Sequence, residues 1–451
     1  MKIIIVGCGK VGSALTEKLT NENHNITVID TNAEKVHHIT EEYDVMGIIG
    51  NGSSNVILSE AGVESADVFI AVTGSDEFNL LCCMFAKKLG HCQTIARVRN
   101  PMYSPELEYI KNQLKISAII NPELASAREI ATLLAFPAAE KIDNFANGHV
   151  QLIKFRLNSS MGIDNIPLKD IPKFFGSDIL ICAVERGTSV IIPDGNFRLN
   201  DGDYITILAV KEKAAEFFTR LGLPTKPVKN AIIAGGGTIG FYLAKYLLEK
   251  NIEVRIFEHN PERCELLAEL LPEATILLGD GTDRKLLKAE GLENTDAFVS
   301  LTNIDEENVL ISLFAKKHSK AKIVTKINRL DFDDLLSDMD IGSVIYPKYI
   351  TCDFILQHVR ALKNQSGSNI KTLYNILDDR VEALEFTVSS ESKATNISLA
   401  ELKLKPNLLL CCIMRNNEII IPRGSDSIQV GDNIIIVTLD HCLHDVQDIL
   451  A

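Results

Sequence analysis

Apolar positions along the first 120 residues alternate between two rhythms. Short β-branched runs at 3–6, 26–29, 68–72 and 94–98 stand between longer stretches with helical spacing. This alternation predicts βαβ units around a parallel sheet. At about 150–220 and again at about 380–450 the pattern changes to closely spaced strands with Gly-Asp turns. Each of these stretches predicts a small α+β lobe closed by one helix. The longest apolar runs, such as 408–414, fall far short of the ~18 residues that span a bilayer, and the N-terminus opens a strand instead of a charged signal segment. The expectation is a chain that neither crosses a membrane nor is secreted.

The pattern occurs twice. Gly7, Gly9 and Gly12 recur as Gly235, Gly237 and Gly240 at an offset of 228 residues, and Leu15, Leu19 and Asn23 recur as Leu243, Leu247 and Asn251. With one residue inserted, Gly50-Asn51-Gly52 meets Gly279-Asp280-Gly281, and Thr73, Asp76 and Asn79 meet Thr302, Asp305 and Asn308. Further on, 190–203 aligns with 419–432, placing Pro193 on Pro422 and Gly202-Asp203 on Gly431-Asp432. A length of 451 residues alone suggests about three domains. The repeat changes that to four lobes in two tandem units, bounded at 1–124, 144–223, 229–350 and 369–451. Linkers are expected near 144–149, 221–230 and 363–371.

Composition narrows the class. With 46% hydrophobic and 24% charged residues the chain is globular. Its 60 acidic against 46 basic residues give a net charge of -14, which repels nucleic-acid phosphates, so no nucleic-acid partner is expected. Ten cysteines without Cys-x-x-Cys spacing suit a reducing cytoplasm.

Each Gly-x-Gly-x-x-Gly follows an apolar strand, opens a helix and precedes an acidic residue 23 positions on, Asp30 or Glu258. Gly7 allows the turn, Gly9 lets backbone approach a diphosphate, and Gly12 lets helix and sheet pack. The helix N-terminus then offers free N–H groups to the anion. A carboxylate at the end of the second strand accepts from a ribose 2′-hydroxyl and repels a 2′-phosphate, favouring NAD(H) or another adenine nucleotide over NADP(H). Ligands in open parallel sheets sit beyond the strand carboxyl ends, which makes Asn51 and Asp280, Thr73 and Thr302, and the cations Arg97, Arg99, Lys326 and Arg329 candidate lining. Asp76 with Glu77, and Asp305 with Glu306, are expected to cap the following helices. His441 and His444 read as a solvated helix face, with no metal expected. Cys8 reads as a tolerated small residue, since its partner position is Gly236.

No catalytic constellation accompanies these loops, and the small lobes offer turn chemistry without a side chain suited to proton transfer. The expectation is therefore a protein whose ligand acts by shifting conformation, not an enzyme. Two alternatives remain open: an NAD-dependent oxidoreductase on a duplicated Rossmann frame, and a ligand-free assembly scaffold.

The motifs GCGKVG and GGGTIG, GNGS and GDGT, the Thr/Asp/Asn triplets, IARVRNP and the Gly-Asp turns together resemble the tandem RCK (regulator of potassium conductance) proteins of bacterial Trk-type potassium uptake. The resemblance covers essentially the whole chain. It implies two tandem RCK units, each a Rossmann-type parallel-sheet N-lobe followed by a small α+β C-lobe. It implies NAD(H), with ATP or ADP as alternative or additional ligands, lined by Gly7, Cys8, Gly9, Lys10, Val11, Gly12, Gly52, Gly235, Gly237, Thr238, Ile239, Gly240 and Gly281. It implies a homo-oligomeric ring, dimer or tetramer, peripheral on the cytoplasmic face of the membrane beneath an integral-membrane Trk-type potassium channel subunit. Asn51, where the RCK pattern usually has an acid, departs from it.

Overall fold

The computed structural model of the chain describes all residues except 146–148, 176–178, 188, 329–338, 340, 365–369, 377–379, 417, 440–442 and 444. In the first lobe the β-branched runs form β1 (Lys2–Val6), β2 (Asn25–Asp30), β3 (Met46–Ile49), β4 (Val68–Ala71), β5 (Gln93–Arg97) and β6 (Ala118–Ile120). The intervening helices are α1 (Lys10–Asn21), α2 (Ala33–Tyr43), α3 (Asn55–Glu60), α4 (Asp76–Leu89) and α5 (Leu107–Leu114), with α6 (Pro122–Ala135) after the last strand. The strands pair in parallel in the order 3-2-1-4-5-6. That order reverses between β1 and β4, which opens a crevice above their carboxyl ends. Burial on both faces explains the unbroken apolar run of β4, whose four residues are all buried. α1 buries Val11, Ala14, Leu15 and Leu19 at helical spacing against this sheet.

The first small lobe has β7 (Lys141–Phe145), β8 (Val150–Arg156), α7 (Ile171–Phe175), β9 (Ile179–Arg186), β10 (Ser189–Ile191), β11 (Tyr204–Val210) and the closing helix α8 (Lys211–Arg220). Its strands form an antiparallel sheet. The second large lobe repeats the first. β12 (Asn230–Ala234), β13 (Glu253–Glu258), β14 (Thr275–Leu278), β15 (Ala297–Ser300), β16 (Lys322–Lys326) and β17 (Ser343–Ile345) take the same parallel order. Its helices include α9 (Thr238–Leu248), α10 (Pro261–Leu270), α11 (Arg284–Ala289) and α12 (Asp305–His318), and helix Pro347–Asn364 follows β17. The second small lobe carries β18 (Ile370–Ile376), β19 (Val381–Thr387), β20 (Leu408–Arg415), β21 (Glu418–Ile420) and β22 (Asn433–Thr438). Among its described residues, the expected closing helix is replaced by the 3-10 turn Val446–Ile449.

The lobes alternate along the sequence but group by kind in space. Met1–Ala131 joins Val228–Val359 in one compact unit, and Thr132–Pro227 joins Arg360–Ala451 in another. In the second unit, equivalent strand positions of the two antiparallel sheets share one core: Val150 and Val381, Leu152 and Ala383, Cys182 and Cys411, and Leu208 and Val437. Burying both apolar faces against each other removes them from water, a face-to-face arrangement of two sheets. The nine described cysteines are free thiols. No helix among the described residues is long and apolar enough to cross a membrane.

The repeated Gly-Asp turns are held by an ion pair that spacing alone did not reveal. Asp203, only 2% exposed, accepts Arg186 Nε and Nη2 at 2.9 and 2.8 Å and the Asn200 amide at 2.8 Å. Asp432, 1% exposed, accepts Arg415 Nε and Nη2, both at 2.8 Å, and the Gln429 amide at 2.7 Å. The bidentate fork ties the end of β9, or of β20, to the turn that opens β11, or β22. Asp432→Ala is expected to lower the unfolding free energy of this unit by about 3 kcal/mol, because it leaves a charged partner and a buried amide unpaired. Denaturant unfolding checks this, and a loss below ~0.5 kcal/mol would mean the clamp is ornamental.

Candidate nucleotide-binding site

Both glycine loops are built alike. Gly7 and Gly235 sit at φ +108° and +115°, a region that L side chains rarely adopt, so each strand turns sharply into its helix. A Cβ on Gly12 would stand 1.8 Å from the Gly7 carbonyl oxygen, and one on Gly240 would stand 2.3 Å from that of Gly235, so both positions exclude any side chain. Gly9 and Gly237 have nothing within 4 Å of where a Cβ would point. They are the N-caps of α1 and α9, which lack both a capping side chain and an acidic residue in the first turn. By contrast Asn32, Ser75, Asn260 and Asp283 cap α2, α4, α10 and α11 with side-chain oxygens. The two loop helices therefore keep uncompensated N–H groups and positive dipole ends.

Acids brace these loops. Asp30 accepts the Cys8 amide at 2.7 Å and the Asn32 amide at 2.9 Å. Glu258 accepts the Gly236 amide at 3.0 Å and the Asn260 amide at 2.9 Å. The Cys8 thiol is buried and pushed up to about 12, chiefly by desolvation and then by Asp30, so it is no reactive thiolate.

The repeated triplets turn out to be staples. Asn79 is fully buried; its Oδ1 accepts the Thr73 amide at 2.8 Å and the Thr73 hydroxyl at 2.7 Å, and its Nδ2 donates to the Arg97 carbonyl at 2.9 Å. Asn308 does the same for the Thr302 amide, at 2.9 Å, and the Lys326 carbonyl, at 3.0 Å. Asp76 was expected to cap α4, but Ser75 does so, accepting the Phe78 amide at 3.2 Å. The Asp76 carboxylate turns instead to the loop after β5 and accepts the Arg99 and Asn100 amides, both at 2.8 Å. Asp305 likewise accepts the Asn328 amide at 2.9 Å. As the first residue of its helix, each acid faces the neighbouring strand end instead of its own free amides.

These staples fix Arg97 and Lys326, which occupy the same position in the two repeats. Both line one cavity of about 730 Å³ within the first unit. From the first lobe it takes Gly7, Gly9, Lys10, Val11, Asp30, Gly52, Thr73 and Arg97 of the expected residues; from the second it takes Gly237, Thr238, Ile239, Gly240 and Lys326. Arg99 lines a neighbouring space that shares Gly74, Glu123 and Thr238 with it. Cys8, Gly12, Gly235, Glu258, Asp280, Gly281 and Thr302 are not on the wall. Asn51 is turned onto its own loop, where its Oδ1 accepts the Ser53 amide at 2.9 Å, and Asp280 does the same with Thr282 at 2.8 Å. Arg329, His441 and His444 lie outside the described residues. Among the described residues no cluster of metal-ligating side chains occurs.

Lys35, Glu123 and Lys348 also line the cavity and were missed. The signal for the last two was present: Pro122-Glu123 recurs as Pro347-Lys348 once the offset shortens to 225 residues. Among the described lining residues, five cations, Lys10, Lys35, Arg97, Lys326 and Lys348, face two carboxylates, Asp30 and Glu123. Arg97 reaches Glu123 only at 3.4 Å, while Arg97 Nε and Glu123 Oε2 are buried with no hydrogen-bond partner. Burial lowers the affinity of Arg97 for its proton, against the opposing pull of Glu123. Lys326, 6% exposed, donates to the Leu301 carbonyl at 3.3 Å, and desolvation holds its pKa at about 8 despite Asp305 and Glu123.

The class the fold and site define is a pair of Rossmann-type lobes that turn uncapped helix ends and surplus cations onto one cavity. The TrkA-N domain family matches residues 3–122 and 231–347, and the TrkA-C domain family matches 152–222 and 383–451. The chain belongs to the TrkA family. It is 32% identical over 99% of both chains to Trk system potassium uptake protein TrkA homolog 1 of Methanosarcina mazei. It is 31% identical to Trk system potassium uptake protein TrkA of Haemophilus influenzae, covering 98% of this chain and 96% of that one. In fold it is similar to the GsuK channel bound to NAD, with a TM-score of 0.61 at 18% identity over 97% of this chain and 76% of that one.

Asn79→Ala removes the staple and leaves the Thr73 amide and Arg97 carbonyl without their partner, so stability is expected to fall by about 3 kcal/mol. Denaturant unfolding with hydrogen exchange at the β4 and β5 ends checks this; protection unchanged at those ends would refute the role.

Proposed function

We propose that this chain is a nucleotide-sensing regulatory subunit of Trk-type potassium uptake. The observation that carries the reading is the convergence of two uncapped glycine-loop helices and five cations on one cavity, in a chain whose net charge is -14. Family membership supports the transport setting, and the NAD-bound GsuK neighbour supports the ligand class. NAD(H) or ATP/ADP would sit with its ribose toward Asp30 and its phosphates at Gly7–Gly12, Lys10, Thr73 and Arg97. The residues fit such a group: Gly9 leaves the approach open, and the partnerless Arg97 Nε is a donor awaiting an anion.

The output is conformational. A ligand that touches both lobes changes how favourable their apposition is, and an integral-membrane potassium channel subunit would read that change through a ring of such chains at the cytoplasmic face. Activating and inhibiting nucleotides must then prefer different arrangements, since only differential affinity shifts an equilibrium. The four lobes 1–124, 144–223, 229–350 and 369–451 are proposed as its working parts.

Calorimetric titration of the purified chain with NADH, ATP and ADP is expected to show binding at micromolar concentrations; no binding below millimolar would sink the proposal. Arg97→Ala is expected to weaken nucleotide binding about ten-fold or more, the worth of one charge-assisted contact, with the chain still folded by circular dichroism. Affinity is also expected to depend on pH. Lys326 faces Asp305, Glu123 and Lys10, with Arg97, Lys35, Lys348 and Asp30 on the same cavity wall. Bound phosphate favours its ammonium form, so the bound-state pKa lies above the free value of about 8. Affinity therefore falls as pH rises through about 8 and stops falling above the bound-state value. Titrations from pH 7 to 9.5 that show constant affinity would remove Lys326 from phosphate contact.

A further inference from the structure

Lys326 occupies the repeat position of Arg97, but the two side chains differ in chemistry. A guanidinium keeps its protons and has no lone pair to share, whereas an amine that has lost its proton is a nucleophile. The fold withholds from Lys326 what usually keeps an ammonium charged. The residue is 6% exposed, so water scarcely reaches it. Its Nζ donates one hydrogen bond, to the Leu301 carbonyl at 3.3 Å, and among the described residues it forms no ion pair. The carboxylates that face it are turned to other groups: Asp305 accepts the Asn328 amide and side chain, and Glu123 pairs with Arg97. Lys10 adds like charge from the first lobe. Desolvation beside another cation is how a lysine amine becomes reactive. With its pKa at about 8, Lys326 holds roughly a hundred times more free amine near neutral pH than an ordinary lysine.

The wall also selects the electrophile. An aldehyde condensing with Nζ loses water and leaves a protonatable imine, so the surplus of positive charge persists. Carbon dioxide instead turns the amine into an anion. Four cations on the described wall, Lys10, Lys35, Arg97 and Lys348, then meet three anions, the new group, Asp30 and Glu123. The uncapped end of α9 at Thr238 lies on the same wall and offers amides to an anion. We infer that Lys326 is a carbon dioxide site, at which Nζ forms a reversible carbamate inside the cavity. The Nζ lone pair makes the new N–C bond, one C=O electron pair moves onto oxygen, and the displaced Nζ proton passes to water. The step consumes no oxidant or reductant. Carbon dioxide is small and uncharged, so it enters without the cost of desolvating an ion. The change at this atom from cation to anion is the opposite of what a phosphate needs there, so carbamate and nucleotide compete. The carbamate chemistry goes beyond the nucleotide-sensing reading and does not depend on it.

The test is chemical trapping on the full-length chain. The protein is equilibrated with dissolved carbon dioxide, treated with a trialkyloxonium salt that esterifies carbamates, and mapped by mass spectrometry after proteolysis. A sample free of carbon dioxide and the Lys326→Arg variant are run beside it. The expected result is a trapped carbamate on Lys326 at a level about ten-fold or more above Lys10, Lys35 and Lys348. At constant dissolved carbon dioxide it rises between pH about 6.5 and 8.5, as the amine loses its proton. The label is read on the wild-type chain, so the result holds even if Lys326→Arg fails to fold. A label absent from Lys326, or spread evenly over the four lysines, would overturn the inference. Titration with ATP in the presence and absence of carbon dioxide reads the competition: affinity is expected to fall about three-fold or more in the wild type, and an unmoved affinity would overturn that part. ATP binding without a carbamate would sink this inference and leave nucleotide sensing intact, whereas a carbamate without binding of any nucleotide would do the reverse.

Discussion

Like charge meeting like charge is the constraint around which the first unit is organised. Two helix ends with free amides and five cationic side chains converge on one cavity, where among the described lining residues Asp30 and Glu123 are the carboxylates. Burial raises the energy of the two innermost charges, Arg97 and Lys326, and brings the Lys326 pKa down from its ordinary 10.5 to about 8. Such an arrangement persists only when the surrounding structure over-determines it. The buried asparagines provide that restraint by bonding the loop after β4 to the end of β5, and the loop after β15 to the end of β16. An anion in the cavity would relieve the same repulsion.

The two large lobes are fastened by an exchange of helices. Asn121, just before α6, donates to the Tyr242 hydroxyl of α9 at 3.0 Å, and Arg128 of α6 donates to the Tyr246 hydroxyl at 2.9 Å. Conversely, Lys18 of α1 pairs with Asp353 on helix Pro347–Asn364 at 3.2 Å and lies over the Tyr349 ring. Each glycine-loop helix therefore has its N-terminus on the cavity and its body against the last helix of the opposite lobe. Those last helices run on in sequence into the small lobes. The side chains that fasten each loop helix therefore sit on the helix that continues in sequence toward a small lobe.

Much of this was legible in the sequence because it rests on backbone demands. The sheets follow from β-branched runs, and the glycine loops follow from positions where a Cβ would strike a carbonyl oxygen. Repetition exposed the Thr/Asp/Asn triplets, but their chemistry was misread where a side chain acts across strands. Asp76 looks like a helix cap in one dimension and proves to be a bridge between loops. Asn51, a candidate lining residue by its place after β3, turns its Oδ1 to the Ser53 amide of its own loop. Arg186 and Arg415 repeat as faithfully as the Gly-Asp turns they clamp, yet nothing in their spacing shows which carboxylate they meet. The grouping of large with large and small with small was hidden for the same reason: equivalent apolar positions such as Cys182 and Cys411 pair across a fold symmetry absent from the linear order.

That symmetry bears on what the cavity can do. A nucleotide held wholly within one lobe would bind equally well however the lobes were placed, and equal affinity shifts no equilibrium. Phosphates that contact Arg97 on one side and Lys326 on the other depend on the separation of the two lobes, so binding and separation are linked by necessity.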